Sequence, residues 1–536
     1  MKRRFAGQYH LPPPATAEIR RRYRELMDEG RFPPQPHLER LLTRREVRSL
    51  SGVAVVTVLT KPWPCPGRCV YCPSEERMPK SYLANEPAAA RALAEKFDPF
   101  DQVTARLQAL RENGHPADKI ELIVKGGTWS SYPWSYRRWF IRRCFDAANS
   151  FAAPRRRSCR SLAAAQQLNE RAAYRIIGLT LETRPDRVTP EEVARLREIG
   201  GTRVELGVQA LNDRLLTLSR RGHDVQSVRT ATWLLKRAGF KVDYHLMPQL
   251  PGATPEADLA AGRAVFADPD FRPDMIKIYP CVVLASAELY DWWKRGEYKP
   301  YSDDDLMEVL IAAKMMVPRY CRISRLIRDI PSTSILAGNA VTNLRQHVQR
   351  EMDRRGQRCV CLRCREIGRV AQSEPALARV TPKIFDDAYA ASGGTEHFLS
   401  FEDTRRRAVF AFCRLRLPAK GEPRLDEKTA RWGRRLEQFL PEIRETAFIR
   451  ELHTYGVQVP IGGRNKKATQ HKGLGRRLMR EAERIAGTAG CRRLAVIAGV
   501  GVRDYYRQLG YRREGTYMVK KLSGSRSPVA AGGKSC

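Results

Sequence analysis

The sequence contains no long apolar segment. Its first residues, MKRRFAGQYHLPPP, are basic, but no apolar run of signal-peptide length follows them. No stretch of about eighteen consecutive apolar residues occurs, so the sequence predicts no transmembrane helix. We therefore expect a cytoplasmic protein with no membrane partner, in which thiols stay reduced and clustered cysteines bind metal more often than they form disulfides.

Acidic residues are scarce. The 536 residues include 96 Lys plus Arg but only 59 Asp plus Glu, which gives a net charge of +37 and an isoelectric point near 10.1. Such a charge predicts a polyanionic partner, either RNA, DNA or an acidic membrane face. The alternative is a solvated, arginine-rich surface without a partner.

A fourth metal ligand is missing where the cysteines are densest. The stretch KPWPCPGRCVYCPS contains Cys65, Cys69 and Cys72, the next cysteine is Cys144, and His115 is the only histidine between them. A zinc knuckle needs a fourth ligand nearby, and this stretch does not supply one. A zinc site or inert thiols remain as the alternative interpretation.

Three thiolates match an iron–sulfur cube with one open iron. They would bind three irons of a [4Fe–4S] cluster and leave the fourth free to chelate an amino and a carboxylate group. The pattern Cys-x3-Cys-x2-Cys, with Tyr71 before its last cysteine, resembles the signature of radical S-adenosylmethionine enzymes. The resemblance implies a [4Fe–4S] cluster and S-adenosylmethionine as cofactors.

From residue 51 onward, β-rich runs alternate with helical patterns. In TPEEVARLREIG, Thr189 is placed to cap a helix, Pro190 to take its first position, Glu192 to close a capping box and Gly200 to end it. Six such units predict an α/β fold whose parallel sheet bends into a partial (β/α)6 barrel. The β-rich runs are VAVVTVLT (53–60), IELIVKGG (120–127), RIIGLTLET (175–183), TRVELGVQAL (202–211), KVDYHLMPQL (241–250) and MIKIYPCVV (275–283).

Residues at the carboxyl ends of these strands are candidates for the active site. Chemistry in parallel barrels occurs at that end, and the cysteine loop directly follows the first strand. Gly126 and Gly127 permit close backbone approach to the amino group of S-adenosylmethionine. Lys277 is predicted to be catalytic, because the side chain of a lysine near a strand end in a parallel barrel projects toward the mouth. Each further candidate could instead form a structural ion pair or hydrogen bond. These candidates are Glu182, which we assign to cofactor binding, and Arg184, Glu205, Gln209 and His245.

A second group of cysteines occurs in the stretch CVCLRC. Cys359, Cys361 and Cys364 predict a structural zinc site that joins the barrel to the next domain, with unliganded thiols as the alternative. The sequence does not identify the fourth ligand, for which the candidates are His347, Cys281, Cys321, His397 and Cys413.

Beyond about residue 395 the sequence predicts paired strands, first in HFLSFEDTRRRAVFAFCRLRLP and then in AFIRELHTYGVQVPI. In QHKGLGRRLMREAERIAGTAG, a glycine turn leads into an amphipathic helix whose first N–H groups would bind a pyrophosphate. With the following strand RRLAVIAG, this stretch resembles the acetyl-coenzyme A fold of GNAT acetyltransferases. The resemblance implies an α+β domain that binds acetyl-coenzyme A through Gln470, Lys472, Gly473, Leu474, Gly475 and Arg476.

Tyrosines near the C-terminus match a further feature of that family. A tyrosine on its last helix faces the thioester sulfur, and Tyr505 and Tyr506 occupy this position. The resemblance implies a catalytic role for both and a coenzyme contact for Tyr506. The alternative is that one or both are core aromatics.

The predicted organisation has five segments. The first fifty residues hold 12 Lys plus Arg against 6 Asp plus Glu, with a helix predicted over residues 16–30. The segments are a basic RNA-binding arm (1–50), a radical S-adenosylmethionine domain (51–340), a cysteine-rich zinc linker (341–394), a GNAT acetyltransferase domain (395–522) and a flexible tail (523–536).

The combination of the two catalytic domains resembles the family of elongator catalytic subunits in its stand-alone bacterial or archaeal form. The resemblance covers roughly residues 50–522 and includes MPKSYLANEPAAARA, LTLETRPD, AGFKVDYHLMPQLPG, RELHTYG and QHKGLG. It implies an enzyme that makes 5-carboxymethyluridine at the wobble position of tRNA, with the anticodon stem-loop held on the basic surface. The compact cysteine spacing implies activity outside a multi-subunit complex.

The implied chemistry explains why two domains are needed. Carbon 5 of uridine is a poor nucleophile and would not attack a thioester. The resemblance implies that a 5′-deoxyadenosyl radical takes hydrogen from the acetyl methyl group, that the carbon radical adds to the base and that water releases the product. The alternatives are a protein lysine acetyltransferase with a structural cluster and a non-catalytic tRNA-binding protein. Two points disfavour lysine acetylation: acetylating an amine needs no radical, and no general base is evident beside the coenzyme loop.

Overall fold

Two sheets organise the chain in a computed structural model, which describes residues 8, 10, 12, 14–42, 52–153, 155, 158–419, 426–455 and 473–522. The first sheet is parallel throughout, and its strands lie side by side in chain order. Its strands are β1 (Ala54–Leu59), β2 (Lys119–Lys125), β3 (Arg175–Thr183), β4 (Arg203–Gln209), β5 (Lys241–Leu246), β6 (Met275–Ile278) and β7 (Arg322–Arg325).

Helices occupy the connections between these strands, as parallel pairing requires. The predicted N-terminal helix is confirmed, and Gly30 follows its end with φ of 69°. The helices of this part are α1 (Thr16–Asp28), α2 (Pro36–Leu42), α3 (Pro87–Ala94), α4 (Pro99–Glu112), α5 (Trp134–Ser150), α6 (Leu162–Asn169), α7 (Pro190–Glu198), α8 (Asp213–Leu218), α9 (Val225–Arg237), α10 (Pro255–Ala267), α11 (Leu289–Lys294), α12 (Asp303–Met316) and α13 (Leu344–Arg354).

The predicted partial barrel is confirmed, and the structure adds a seventh strand. β7 was not predicted because its four residues, RISR, include two arginines and show no β-rich run. The helix cap at Thr189 is also confirmed, since its side chain accepts a hydrogen bond from the Glu192 amide at 3.2 Å. The Glu192 carboxylate does not return to close the capping box, because it pairs with Arg137 at 2.5 Å in the interior.

The second sheet is mixed, and its strands lie in the order β13 (Arg512–Glu514), β14 (Tyr517–Lys521), β12 (Arg493–Val496), β11 (Ala447–Thr454), β10 (Val409–Pro418), β9 (Gly394–Glu402) and β8 (Lys383–Ala391). The two strands predicted around the polar turn are confirmed, but the sheet begins with β8, before the predicted boundary at residue 395. The second part of the predicted strand pair over residues 447–461 lies beyond residue 455, outside the described residues. The elements are α14 (Ile367–Ser373), β8 (Lys383–Ala391), β9 (Gly394–Glu402), β10 (Val409–Pro418), α15 (Glu427–Phe439), β11 (Ala447–Thr454), α16 (Leu474–Thr488), β12 (Arg493–Val496), α17 (Arg503–Arg507), β13 (Arg512–Glu514) and β14 (Tyr517–Lys521).

The second sheet packs against the amino ends of the barrel strands. A Cβ atom on Gly499 would lie 1.9 Å from the carbonyl oxygen of Ile177, so only glycine allows this approach to β3. The Tyr517 hydroxyl donates to the carbonyl of Ala238, just before β5, at 2.9 Å. The carboxyl ends of the barrel strands are therefore left for the cysteine loop.

Buried ion pairs hold the two sheets together. Arg450 on β11 donates to Asp274 Oδ2 at 2.9 Å, to Glu396 Oε2 at 3.0 Å and to the carbonyl of Phe240 at 2.6 Å. Burial disfavours the charged carboxylate of Asp274, but Arg450, Lys236 and Arg414 together outweigh it and hold the pKa of Asp274 well below its usual range. Removing the guanidinium would leave two buried carboxylates with fewer partners.

We expect Arg450→Met to destabilise the protein by about 3–5 kcal/mol, because a buried ion pair that loses one partner leaves an uncompensated charge. Chemical denaturation followed by circular dichroism would measure this loss. Arg484→Met is the matched control, since that side chain is 63% exposed and pairs only with Glu481 among the described residues. An Arg450→Met midpoint equal to that of the control would contradict the expected role of the network.

Candidate active site

The cysteine loop between β1 and α3 places each thiol in a different environment. Arg221 Nη1 donates to Cys69 Sγ at 3.3 Å, and Cys65 Sγ lies 3.6 Å from Thr128 Oγ1. Burial raises the pKa of the Cys72 thiol to about 12. Burial also acts on Cys69, but the charge and hydrogen bond of Arg221 outweigh it and lower the pKa of Cys69.

The spacing of these thiols suits an iron–sulfur cube better than a single ion. The sulfur atoms of Cys65, Cys69 and Cys72 do not all lie within 4.8 Å of one another, as the ligands of one metal ion would. In a cube each thiolate binds a separate iron, so the sulfurs need not converge. The thiol donors and the guanidinium beside Cys69 therefore fit an anionic cluster.

The glycine pair after β2 lies beside the end of β1. Gly126 and Gly127 have φ of 117° and 62°. A Cβ atom on Gly126 would lie 2.2 Å from Thr60 Oγ1, which itself donates to the Gly126 carbonyl at 3.1 Å. Tyr132 completes this contact, with its hydroxyl 2.7 Å from Thr60 Oγ1. The loop therefore offers backbone atoms at the barrel mouth in a conformation that favours glycine.

Five ionisable side chains meet at the carboxyl ends of β2 to β6. Lys125 Nζ lies 2.6 Å from Glu182 and also contacts Glu205. His245 lies between the two carboxylates, with Nδ1 3.3 Å from Glu182 and Nε2 2.9 Å from Glu205, and Lys277 pairs with Glu205. The structure thus brings together four residues predicted from the sequence and adds Lys125, which the sequence analysis missed.

The charges in this cluster shift the pKa values of its members. Burial lowers the pKa of Lys277 to about 8, with Glu205 opposing and Lys125 adding to the shift. Burial acts against ionisation of Glu182 and Glu205, but Lys125 and His245 together, with Lys277 also acting on Glu205, outweigh it and lower the pKa of both carboxylates. Lys277 can therefore exchange a proton near neutral pH while both carboxylates stay ionised.

Two other predicted residues lie outside this cluster. Arg184 is buried beside the cysteine loop and donates through Nε to Asp186 at 2.8 Å. Gln209 lines the barrel cavity with φ of 71°, and its buried Oε1 has no partner among the described residues. Arg221, which contacts Cys69, was missed because RRGHD carries no recognisable metal or cofactor pattern.

The predicted coenzyme turn opens onto a cavity of about 540 Å³. Gly473 precedes α16 with φ of 69°, and a Cβ atom on Gly475 would lie 3.1 Å from the Tyr505 hydroxyl. Leu474 is buried in the core, while Arg476 lines the cavity. Glycine amides at a helix N-terminus beside an arginine fit a pyrophosphate. Gln470 and Lys472 lie outside the described residues.

Both predicted tyrosines line the same cavity. Tyr505 is partly buried, whereas Tyr506 is 6% exposed and its ring packs edge-on against Tyr505, with centroids 5.2 Å apart. Burial raises the pKa of both hydroxyls. Each is therefore a neutral group that can donate a hydrogen bond into the cavity.

A second cavity, of about 700 Å³, extends along the barrel interior. It is lined by Tyr71 and Lys125 at the cysteine end and by His453 of the second sheet at the other end. Glu121 and His453 line both cavities, so the cavity at the coenzyme turn and the one at the ionic cluster are adjacent. The sequence analysis did not identify His453, because only the docking of the second sheet brings β11 to the barrel.

The second cysteine group converges on one point. The sulfur atoms of Cys359, Cys361 and Cys364 all lie within 4.8 Å of one another, which fits a single tetrahedral metal ion. Among the described residues, no other histidine, cysteine or carboxylate joins this group. None of the five candidates for a fourth ligand therefore completes the group, although Cys321 lies near Cys361. His347 is exposed, and His397 contacts Asp386 at 2.9 Å.

The sequence predicts no transmembrane helix, and the helices of the structure can be compared with that prediction. Within the described part of the chain, no helix combines the length and the apolar character needed to cross a bilayer.

Comparisons with known proteins agree with this architecture. The family model of the Radical SAM superfamily matches residues 65–261, and that of the Radical_SAM C-terminal domain matches residues 273–354. The tRNA uridine(34) acetyltransferase of Methanocaldococcus infernus is 44% identical over 492 residues, which cover 90% of this chain and 88% of that protein. The protein of that name from Dehalococcoides mccartyi is 43% identical, covering 89% and 99%.

More distant relatives and a solved structure extend the comparison. Human Elongator complex protein 3 is 37% identical over 494 residues, which cover 90% of this chain and 86% of that protein. The structure of the Methanocaldococcus infernus Elp3, which lacks its N-terminal residues 1–46, has a TM-score of 0.73 and 41% identity. The match covers 88% of this chain and all of that chain.

Proposed function

The chain belongs to the family of tRNA uridine(34) acetyltransferases and Elongator complex protein 3, and we propose that it uses S-adenosylmethionine and acetyl-coenzyme A to form 5-carboxymethyluridine at the wobble position of tRNA. Membership makes it an enzyme with a radical S-adenosylmethionine domain and acyltransferase activity. The adjacent cavities at the cysteine loop and the coenzyme turn, which share lining residues, carry the proposal, because the proposed reaction would use both sites.

Three thiolates would hold the cluster at the mouth of the barrel: Cys65, Cys69 and Cys72. The backbone at Gly126 and Gly127 would meet the amino group of S-adenosylmethionine, and Glu182 would contribute to the same site. When bound, the cluster and its cofactor supply the hydrogen abstraction that activates an acetyl methyl group.

The coenzyme would bind at the start of α16. Amides at Gly473 to Arg476 would hold its pyrophosphate through hydrogen bonds and the positive end of the helix dipole. Gln470 and Lys472 complete the proposed contact set. Tyr505 and Tyr506 would orient the thioester through their neutral hydroxyls, with Tyr506 also packing against the coenzyme.

The ionic cluster would control protons at the reacting base. Lys277, whose pKa of about 8 lies near neutrality, would donate or accept a proton, and Glu205 would hold its ammonium group in place.

The second cysteine group would bind a structural zinc ion through Cys359, Cys361 and Cys364. These thiols follow β7 and precede the second sheet, so a metal there would stabilise the connection between the domains. Thiolate ligands at convergent positions support zinc over harder metals.

The net charge of +37 supports binding of the anticodon stem-loop, with the basic arm over residues 1–50 as one contact surface. We propose that the enzyme acts without an obligate elongator-type complex.

The proposed function is tested by anaerobic incubation of tRNA with the protein, S-adenosylmethionine, a reductant and acetyl-coenzyme A, followed by nucleoside mass spectrometry. Recovery of unmodified uridine alone from a cluster-loaded protein would refute it.

We expect tRNA to control thioester breakdown, because substrate binding completes the active site and an exposed thioester would otherwise hydrolyse without product. Coenzyme A release should be slow in the protein alone and rise when a tRNA with wobble uridine is added. It should fall again with increasing salt, since each phosphate contact releases counterions. Thiol-reactive dye assays would measure the release.

The matched control for this measurement is the same tRNA with cytidine at the wobble position, which should bind with similar salt dependence but yield no carboxymethyl nucleoside. Lysine-rich histone peptides should not replace the RNA. Stimulation by the peptide and not by tRNA would show that the protein acetylates lysine instead.

A further inference from the structure

One buried guanidinium group contacts the sulfur of Cys69, and a second lies near it. Arg221 donates to Cys69 Sγ at 3.3 Å and to the carbonyl of Gly207 at 2.7 Å. Arg184 donates through Nε to Asp186 at 2.8 Å, while its buried Nη1 has no partner among the described residues. Arg221 is 9% exposed and Arg184 is 4% exposed. Such burial of arginine is costly unless an anion compensates it.

Three glycines make room for these side chains. A Cβ atom on Gly67 would lie 2.4 Å from Arg184 Nη1, and one on Gly207 would lie 2.4 Å from Arg221 Nη2. A Cβ atom on Gly222 would lie 3.1 Å from Arg184 Nη2. The space for both guanidinium groups is therefore built from three separate segments: the cysteine loop, β4 and the loop after α8.

The charges around the pair do not balance. Among the described residues, Asp186 is the only acidic side chain in an ion pair with Arg184, and none pairs with Arg221. The positive charge of Arg221 remains beside Cys69, whereas the neighbouring Cys65 contacts the neutral hydroxyl of Thr128. Arg221 therefore donates directly to Cys69, whereas Lys80 and Arg328 act on Cys72 through their charges without a hydrogen bond to its sulfur among the described residues.

We propose that Arg221 and Arg184 are positioning residues that raise the reduction potential of the cluster through Cys69, an inference that rests on the proposed function. Three thiolates make a [4Fe–4S] cluster anionic, and the electron that it receives from a one-electron reductant adds a further negative charge. Nearby positive charge and a hydrogen bond to sulfur stabilise this reduced form more than the oxidised form. The pair thereby makes the electron transfer that precedes S-adenosylmethionine cleavage more favourable.

Redox titration of the reconstituted protein, followed by electron paramagnetic resonance, tests the proposal without tRNA or acetyl-coenzyme A. At the wild-type midpoint potential, Arg221→Gln should lower the ratio of reduced to oxidised cluster at least about tenfold, which corresponds to 59 mV for one electron. Arg184→Gln should shift the potential in the same direction by a smaller amount, because it makes no hydrogen bond to the sulfur. Arg221→Lys keeps the charge and should lie between Arg221→Gln and the wild type.

Arg220→Gln is the matched control, since this neighbouring arginine is exposed and pairs with Glu288 at 2.8 Å. It should titrate like the wild type. Equal midpoints for wild type, Arg221→Gln and Arg184→Gln would overturn the inference, as would the same shift in the control. If Arg221→Gln cannot be loaded with iron, the midpoint potentials of Arg184→Gln and Arg221→Lys test the inference instead. Wild-type midpoint potentials in both variants would refute the inference. A wild type that forms no cluster would instead refute the proposed function.

Discussion

Cys69→Ala should reduce 5′-deoxyadenosine formation from S-adenosylmethionine to the level of protein without iron. Each thiolate supplies one of only three protein bonds to the cluster, so the loss of one leaves a second iron without a protein ligand. Cys69 is also the thiol that Arg221 contacts, and its replacement removes the acceptor of that hydrogen bond. Anaerobic assay of 5′-deoxyadenosine by liquid chromatography, with iron and sulfide content measured in parallel, would show the effect.

The control for this variant must separate cluster loss from general unfolding. Cys491→Ala removes a thiol of similar size in the second domain, just before β12, and should retain normal cleavage. Cys69→Ala itself should still bind acetyl-coenzyme A in calorimetry, because the coenzyme turn lies at the opposite end of the barrel. Normal 5′-deoxyadenosine yield from Cys69→Ala would rule out the assignment of this loop to the cluster.

Local patterns in the sequence predicted most of the barrel, because each strand from β1 to β6 is a β-rich run followed by helix signals. β7 escaped prediction because its stability comes from outside its own segment: Arg322 pairs with Glu366 and donates to Tyr455 of the second sheet at 3.2 Å. Because the partners of Arg322 lie across a domain boundary, the local pattern of hydrophobic residues does not reveal this strand.

The candidate site was predicted in part for the same reason. Glycines and cysteines can be recognised as site residues from the sequence alone, because a tight turn or the spacing of metal ligands requires them within a short segment. Lys125 and His453 carry no such signal, since their roles arise only when strands meet in space. Glu205 could be named as a strand-end residue, but its simultaneous contacts with Lys125, His245 and Lys277 follow from the closure of the sheet.

The docking of the two sheets was the least predictable feature. Arg450 belongs to a strand that reads as part of the second domain, yet its partners include Asp274, next to β6 of the barrel. The alternation of apolar residues predicts which face of a strand is buried, but not which buried carboxylate a charged residue on that face will meet. The residues that line both cavities are brought together by this docking.

Gly475→Glu should weaken acetyl-coenzyme A binding by about 100-fold, equivalent to about 2.8 kcal/mol. The new side chain would begin 3.1 Å from the Tyr505 hydroxyl, so it would fill the approach to the amides at the start of α16. Its negative charge would also repel the phosphates at the position where the helix dipole favours an anion. Isothermal titration calorimetry with the coenzyme would measure the loss.

Gly487→Glu provides a control for the charge and for the loss of glycine, since it lies on the same helix with no atom within 4 Å of its added Cβ. It should keep the wild-type affinity, because the last turn of α16 is remote from the coenzyme cavity. Cleavage of S-adenosylmethionine should survive in Gly475→Glu, which makes its defect the opposite of that of Cys69→Ala. Equal affinities for Gly475→Glu and Gly487→Glu would mean that the pyrophosphate binds elsewhere and that the turn only shapes the start of the helix.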